Sequence, residues 1–212
     1  MILDCHTHKA PPCPEAIVSE APDTPLFPGQ LYSLGIHPWH IPSNPASLLQ
    51  SLEEKAALPQ VAAIGEAGLD TLISTPMWLQ FKVFEQHVVL AEEVGKPLVI
   101  HSVRTAGEIT QLRRSLRATM PWIIHGFRGK PSVLKMFLDA GCYVSFGTRF
   151  NPQSLALTPS DRILAETDES SMTICEVITA LGESRGENLF PAIETNTQSL
   201  FGVSYKEIIR IL

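Results

Sequence analysis

Short apolar runs alternate with longer amphipathic stretches along most of this chain, and that alternation restricts its fold more than any other feature. Runs that are nearly continuous in valine, isoleucine, leucine and alanine are typical of strands buried on both faces of a parallel sheet. The amphipathic stretches between them have the length of crossover helices, so the pattern predicts an α/β fold built from strand–helix units. The predicted strands are Ile2–Cys5, Leu31–Ile36, Val61–Gly65, Pro97–His101, Trp122–His125, Cys142–Phe146 and Ile163–Glu166, with Ala16–Val18 as a candidate for a short eighth.

The clearest predicted helix follows Thr75, an N-cap residue, and Pro76, which suits a first helical position. Apolar residues then recur at spacings of three and four as far as Val94, and Gly95 is expected to end the helix. The other predicted helices are Ser47–Ala57, Ala106–Leu116, Lys130–Ala140 and Met172–Leu181.

The segment from Lys9 to Gln30 breaks this alternation. It contains six prolines, whose fixed φ angles and missing N–H groups exclude a crossover helix. A complete barrel of this kind needs roughly 250 residues, whereas this chain has 212. We therefore expect a trimmed TIM-like (β/α)8 barrel in which a proline-rich loop replaces the first crossover helices. No internal repeat or charge block marks a boundary, so residues 1–212 are expected to form a single domain.

The composition excludes two classes of protein. A formal net charge of −6 argues against a protein that coats DNA through a broad basic face. No apolar run reaches about 18 residues, so no membrane span is expected. The N-terminus lacks a signal peptide, and the four cysteines are scattered, which together predict a cytoplasmic protein with reduced thiols.

Most of the predicted strands are followed by a histidine or a carboxylate. In a parallel barrel the carboxyl ends of all strands open onto one face, where the active site of such folds forms. Residues that are distant in the sequence are therefore expected to converge there. The residues at these strand ends are His6, His8, His37, Glu66, His101, His125 and Asp168.

These residue types indicate a metal site. His6 and His8 are two positions apart, so in an extended segment both imidazoles point to the same side. A carboxylate such as Glu66 after an apolar run is costly to desolvate without a cation or hydrogen-bond partners. Nitrogen and oxygen ligands in this number suit one or two divalent ions, with Zn²⁺, Mn²⁺ and Mg²⁺ as the alternatives. His87, inside a helix, is interpreted as an ordinary, partly exposed residue.

The arrangement resembles the TatD-like metal-dependent hydrolases, also called TatD-related DNases. The matching residues follow the family's order along nearly the whole chain, which makes the set specific although no single motif is. They are Asp4-Cys5-His6-Thr7-His8, Gly35-Ile36-His37-Pro38, Ala63-Ile64-Gly65-Glu66-Ala67-Gly68-Leu69-Asp70, Gln80 and Phe84, Ile100-His101-Ser102, Ile124-His125-Gly126-Phe127-Arg128-Gly129, Glu166-Thr167-Asp168 and the helix-like stretch Asn196 to Gly202.

The resemblance implies a TIM-like barrel with a centre of one or two metals. It implies that His6, His8 and Asp168 hold the first cation, that His101 and His125 hold the second, and that Glu66 bridges them. Such cations generate hydroxide from water near neutral pH and polarise the bond under attack. Glu66 and Asp168 are then the expected catalytic residues, and Asp168 is the candidate general base.

The chain departs from the family pattern around the expected substrate. The proline-rich loop replaces a helix, a strand and a helix, and Glu169-Ser170-Ser171 leads directly into a helix where the family has an extended loop. His37 and Arg128 are the candidate substrate contacts. The planar guanidinium of Arg128 suits a phosphate or a carboxylate, and the alternative is a solvated surface arginine.

The predicted function is metal-dependent hydrolysis of phosphodiester bonds, with DNA or a small phosphodiester as a transient partner. A first alternative keeps the metal and changes the bond to the amide or ester of a small substrate. A second is a trimmed relative that acts as a binding or scaffolding protein. Six polar ligands at one barrel mouth argue against the second alternative, because barrel packing does not require them.

Overall fold

Eight parallel strands close into one barrel, with each strand paired to its neighbour in the sequence and the last paired to the first. A computed structural model describes residues 3–202, and the predicted strand residue Ile2 lies outside this range. The predicted TIM-like barrel is confirmed, including the short eighth strand. The strands are β1 Asp4–Thr7, β2 Ala16–Glu20, β3 Leu31–Leu34, β4 Val61–Asp70, β5 Leu98–Val103, β6 Trp122–Ile124, β7 Tyr143–Phe146 and β8 Ile163–Ala165.

The helices occupy the crossover connections from β3 onward. Within residues 9–30, all of which are described, the chain forms β2 and loops without a helix, as the prolines predict. The helices are α1 Ala46–Ala56, α2 Met77–Val94, α3 Ala106–Ser115, α4 Pro131–Asp139, α5 Pro152–Leu157, α6 Ile174–Arg185 and α7 Phe190–Phe201, and Pro38–His40 forms one 3-10 turn. None of the helices in residues 3–202 combines the length and the hydropathy that a membrane crossing requires.

Helices α1 and α4 begin within one residue of the prediction, whereas the caps of α2 and α6 differ from it. Helix α2 has Pro76 as its N-cap, and the backbone carbonyl of Thr75 accepts a hydrogen bond from Gln80 Nε2 at 2.7 Å. Helix α6 begins at Ile174, two residues later than predicted, because the side chains of Thr173 and Glu176 form a reciprocal capping box.

Strand β4 is the main correction to the predicted strands. It was expected to end at Gly65, but it continues to Asp70 because its pairing with β5 extends to Val103. Gly65 has a φ of +114°, and a Cβ at this position would overlap the carbonyl oxygen of Val99. Glu66 therefore lies within β4, at the irregularity in its pairing with β5 between Ile64 and Ala67, and not in a loop beyond the strand.

The barrel interior has an apolar floor. Alternation along a strand places Val99 below His101 and Ile123 below His125 on the same face. Both residues are fully buried, and they belong to a cluster that also contains Leu200 and Phe201 from the end of α7. The floor closes the interior beneath the polar residues at the carboxyl ends of the strands.

Candidate metal centre

The carboxylate of Glu66 lies at the centre of the barrel mouth, and one of its oxygens contacts three imidazoles. Oε1 is 2.6 Å from His125 Nε2, 2.9 Å from His101 Nδ1 and 3.1 Å from His37 Nε2. The Glu66 side chain is only 4% exposed. Strands β4, β5 and β6 and the loop after β3 therefore deliver four polar side chains to one point.

The second oxygen of Glu66 faces the H-x-H pair after β1. Oε2 is 3.3 Å from His6 Nε2 and 3.5 Å from His8 Nε2. His8 Nε2 is also 3.8 Å from Asp168 Oδ1. Asp168 has a φ of +51° and bridges to Thr7 as a parallel partner, which brings its carboxylate alongside β1.

Two further carboxylates contact the outer nitrogens of the histidines. Asp70 Oδ2 is 3.3 Å from His101 Nε2, and Glu166 Oε1 is 3.4 Å from His125 Nδ1. A carboxylate behind an imidazole fixes its orientation and tautomer and strengthens it as a metal ligand. This arrangement is typical of histidines that bind a cation through the opposite nitrogen.

The donor set fits divalent cations. Three overlapping groups of three side chains each bring their ligand atoms within 4.8 Å of one another. His6 is fully buried, and although Glu66 Oε2 is 3.3 Å from its Nε2, neither ring nitrogen forms a well-aligned hydrogen bond among the described residues. A buried imidazole is costly to leave in this state, and a cation at Nε2 would satisfy it. The groups are His6, Glu66 and His125; His6, His8 and Asp168; and His37, Glu66 and His101.

Protonation within the cluster follows from the same contacts. Burial opposes ionisation of Glu66, but the neighbouring His125, His101 and His37 hold its pKa well below the usual range. Burial lowers the pKa of His37. For His125, burial also favours the neutral ring, but the carboxylates of Glu66 and Glu166 raise its pKa well above the ordinary value. Glu66 is therefore anionic at neutral pH, as a ligand for cations must be.

The structure brings the six predicted ligands and His37 together, whereas Arg128 shares a cavity with His101 and His125 but, within residues 3–202, forms no hydrogen bond or ion pair with the cluster. Arg128 is exposed at the rim, where it lines two neighbouring cavities of about 800 and 430 Å³. The predicted exposure of His87 is wrong, since its side chain is fully buried. Its Nε2 accepts a hydrogen bond from the backbone N–H of Ile36 at 2.9 Å, so the residue has a structural partner that helical position alone did not reveal.

Sequence reasoning did not assign roles to Asp70, Glu166 and Trp39. The first two could have been found from strand periodicity, because Asp70 is four residues after Glu66 and Glu166 is two before Asp168. Even spacing in an extended segment places such pairs on one face. No comparable signal marks Trp39, because its position depends on the 3-10 turn after His37.

Solved structures of TatD proteins share this fold. YJJV, a TatD homologue from Escherichia coli, superposes with a TM-score of 0.79 over 96% of this chain and 98% of its own, at 20% identity. A TatD family hydrolase from Entamoeba histolytica gives a TM-score of 0.66 over 80% of this chain and 74% of its own, at 16% identity. At these identities the likeness establishes the barrel.

Sequence relatives extend the likeness. An uncharacterised metal-dependent hydrolase of Haemophilus influenzae is 31% identical over 71% of this chain and 63% of its own length. The uncharacterised metal-dependent hydrolase YabD of Bacillus subtilis is 28% identical over 81% of this chain and 77% of its own. A protein of Rahnella named 3'-5' ssDNA/RNA exonuclease TatD is 32% identical over 63% of this chain and 55% of its own. The chain thus spans less than two thirds of the Haemophilus and Rahnella proteins.

A family profile also matches this chain. The matched region begins after the H-x-H pair, so the place of His6 and His8 in the candidate site is supported by their contacts with Glu66 and Asp168 and not by the profile. The profile described as TatD related DNase matches residues 24–202, which is most of the chain, and the chain belongs to that family.

Proposed function

We propose that this chain is a divalent-metal-dependent hydrolase that cleaves phosphodiester bonds, with DNA or a short phosphodiester as its substrate. The observation that supports the proposal most strongly is the buried Glu66 carboxylate with five imidazoles within 3.5 Å. A cluster of this kind has no role in packing a barrel, whereas it suits a pair of cations held on either side of one carboxylate.

The proposed ligands divide into two sets around Glu66. His6, His8 and Asp168 would hold one cation, and His101 and His125 would hold the other, with a Glu66 oxygen directed to each set. His101 Nδ1 and His125 Nε2 are 3.4 Å apart, which is compatible with ligation of the same ion. His37, which also reaches Glu66 Oε1, is available as a further donor or as a contact to substrate.

Bound at these positions, Zn²⁺, Mn²⁺ or Mg²⁺ would lower the pKa of water and polarise the phosphoryl oxygen. Asp168 is suited to accept the proton of the attacking water, because its side chain remains 32% exposed beside the cluster. Asp70 and Glu166 would keep the rings of His101 and His125 in fixed orientations while this transfer occurs.

Three arginines on successive loops support a phosphate-containing substrate. Arg104 follows β5, Arg128 is in the loop after β6, and Arg149 is in the loop after β7, and all three are exposed. Neighbouring loops of a parallel barrel are adjacent at its mouth, so these side chains form a positive arc in a protein of net negative charge. The Rahnella relative is named for action on single-stranded nucleic acid, which also favours this substrate class.

All four cysteines are free, which supports the cytoplasmic location inferred from the sequence.

The test combines metal content with turnover. We expect up to two divalent ions per chain by elemental analysis, and hydrolysis of bis(p-nitrophenyl) phosphate and of a DNA oligonucleotide with Zn²⁺, Mn²⁺ or Mg²⁺. Turnover of an amide substrate alone would instead favour the small-molecule hydrolase. A protein that bound no ion and turned over none of these substrates would support the scaffolding alternative.

Variants at Glu66 test the proposed bridge. Glu66→Ala and Glu66→Gln should reduce occupancy from two ions to one and lower turnover by more than about 100-fold, since even the partners of metal ligands are worth about 10–100-fold. Glu53→Ala is the matched control, because Glu53 is exposed on α1. Two ions per chain in both Glu66 variants would show that the bridging assignment is wrong.

A further inference from the structure

Trp39 is a large aromatic residue that remains exposed beside the candidate metal centre. It follows His37 in the 3-10 turn Pro38–His40, and 59% of its surface is accessible. Its ring centroid is 5.0 Å from that of His37, with an interplanar angle of 85°, and 5.8 Å from that of His101, at 76°. The indole therefore touches the edge of the cluster while leaving much of its ring open to solvent.

The indole is also held in place. Trp39 Nε1 donates a hydrogen bond to Asp70 Oδ2 at 2.8 Å, and Asp70 is almost fully buried. The backbone N–H of Trp39 donates to His37 Nδ1 at 3.1 Å. An exposed tryptophan fixed at both its backbone and its ring nitrogen presents a rigid apolar surface, which favours contact with a flat ligand.

The cavity in front of this ring extends to Glu66. It has a volume of about 470 Å³, within the range of small-molecule sites, and Trp39 and His40 line one part of it. Glu20 and Glu169 also line this cavity. Their negative charge would repel any phosphate other than the one that lies at the metal centre. The occupant that fits is therefore planar and uncharged, and it is joined to a phosphate that reaches the metal centre.

We propose that Trp39 stacks on the unpaired base of the nucleotide adjacent to the phosphodiester bond that is cleaved. This inference rests on the proposed function, and it adds the residue that recognises a base. The acidic cavity places the base on the Trp39 side of the centre. The rest of the strand then follows the opposite side, where Arg128 and its neighbours provide positive charge.

Cleavage assays on two matched substrates test the stacking. The substrates are a single-stranded oligodeoxynucleotide and the same strand with one abasic residue at the nucleotide beside the cleaved bond. Stacking of one base on an aromatic side chain is worth about 10-fold or more in affinity. Trp39→Ala should raise KM by that factor on the intact strand and leave KM on the abasic strand nearly unchanged.

Two further variants separate stacking from the hydrogen bond to Asp70. Trp39→Phe removes the ring N–H but keeps an aromatic face, so it should retain most of the affinity for the intact strand. Trp78→Ala is the control, because Trp78 is also exposed, at 68%, but lines none of the described cavities. Equal losses for Trp39→Phe and Trp39→Ala, or equal effects on the two substrates, would overturn the proposal.

Tryptophan fluorescence provides a readout that does not depend on turnover. Replacing Trp78 with phenylalanine leaves Trp39 and the fully buried Trp122 as emitters. Binding of the intact strand in the presence of EDTA should then quench the part of the emission that comes from Trp39, and the abasic strand should quench it less. The double variant that also carries Trp39→Phe should lose the quenching. Binding without quenching would contradict the stacking even if the protein cleaves DNA, whereas quenching without cleavage under any metal would contradict the proposed function alone.

Discussion

At the scale of single residues, Asp70 links the metal centre to the substrate side. Its Oδ2 contacts both His101 Nε2 and Trp39 Nε1, and its Oδ1 accepts the backbone N–H of Leu72 at 2.8 Å. One buried carboxylate therefore orients a proposed metal ligand and a proposed stacking surface. A change at Asp70 should affect both metal binding and base stacking, whereas a change at Trp39 should affect base stacking alone.

Asp70→Asn should weaken binding of the cation next to His101 by about 10–100-fold, because an amide is a poorer acceptor for the outer imidazole nitrogen. The measurement is a metal titration followed by calorimetry, with Asp161→Asn as the control. Asp161 is an exposed carboxylate at 72% and lies in the loop before β8. An unchanged metal affinity in Asp70→Asn would show that Asp70 does not support the metal ligand His101.

The proposed ligands could be picked out from the sequence because each follows or lies near an apolar run that predicts a strand. This pattern predicts Glu66 and His101 at strand ends, although Glu66 lies inside its strand. It does not predict the contact of Asp70 with His101, because that contact depends on the pairing of β4 with β5 beyond residue 65. Trp39 depends on the path of a turn, which neither composition nor periodicity reveals.

At the scale of elements, helix α2 supports the loop that carries His37. His87 is fully buried in α2, where its Nε2 accepts the N–H of Ile36 and its Nδ1 lies 2.7 Å from the Val83 carbonyl oxygen. The ring must therefore be neutral, with its proton on Nδ1. Burial lowers the pKa of His87 from 6.5 to about 4.

This lowered pKa predicts an acid-sensitive contribution to stability. The neutral ring makes its full contribution to the free energy of unfolding above pH 6.5. This contribution is lost as the pH falls from 6.5 towards 4, because over that range His87 takes up a proton in the unfolded chain but not in the folded one. The shift corresponds to about 3 kcal/mol. Urea denaturation in EDTA should show a steeper loss of unfolding free energy over this range for the wild type than for His87→Gln, which does not titrate. Parallel curves for the two proteins would contradict the prediction.

Elements differ in how well the sequence predicts them. Helix α2 has 18 residues and a sustained apolar stripe, so it was identified nearly to its ends. Helix α5 has only six residues and was missed, because so short a stretch does not complete a recognisable stripe. The start of α7 at Phe190 was also missed, since the resemblance covered only its second half.

At the scale of the whole molecule, a small polar network joins the first strand to the segment after the last. Thr167 donates from its backbone N–H to Asp4 Oδ1 at 3.0 Å and from its hydroxyl to Asp4 Oδ2 at 2.6 Å. Thr7 Oγ1 is 2.8 Å from Thr167 Oγ1. Since β1 and β8 share only one pair of registered residues, these side chains carry part of the closure.

Thr167→Val should therefore lower the free energy of unfolding by about 1–3 kcal/mol, because it removes the hydroxyl that donates to the buried Asp4 Oδ2 and one of the contacts of Thr7 Oγ1. Chemical denaturation measures this change. Thr179→Val is the control, because Thr179 is exposed on α6 and its hydroxyl contacts only the Cys175 carbonyl in its own helix. A loss no larger than that of the control would exclude a role for the network in closure.

The barrel as a whole was predictable from the repeated strand pattern, but the residue contacts that close it were not. Pairing of β1 with β8 joins residues more than 160 positions apart, and no local pattern records such a contact. Closure followed instead from the number of strands and from the expectation that their polar ends converge.

The proline-rich loop also has a consequence for the chain before it folds. Ordering a long segment without helical hydrogen bonds normally loses much conformational entropy. Each proline that suits its native backbone reduces the freedom of the unfolded chain, which is worth about 0.4–1 kcal/mol per site. Six prolines between residues 9 and 30 therefore lower the entropy lost when this segment is fixed. The smaller loss of entropy thereby makes up for part of the stabilisation that packed crossover helices would have provided in this segment.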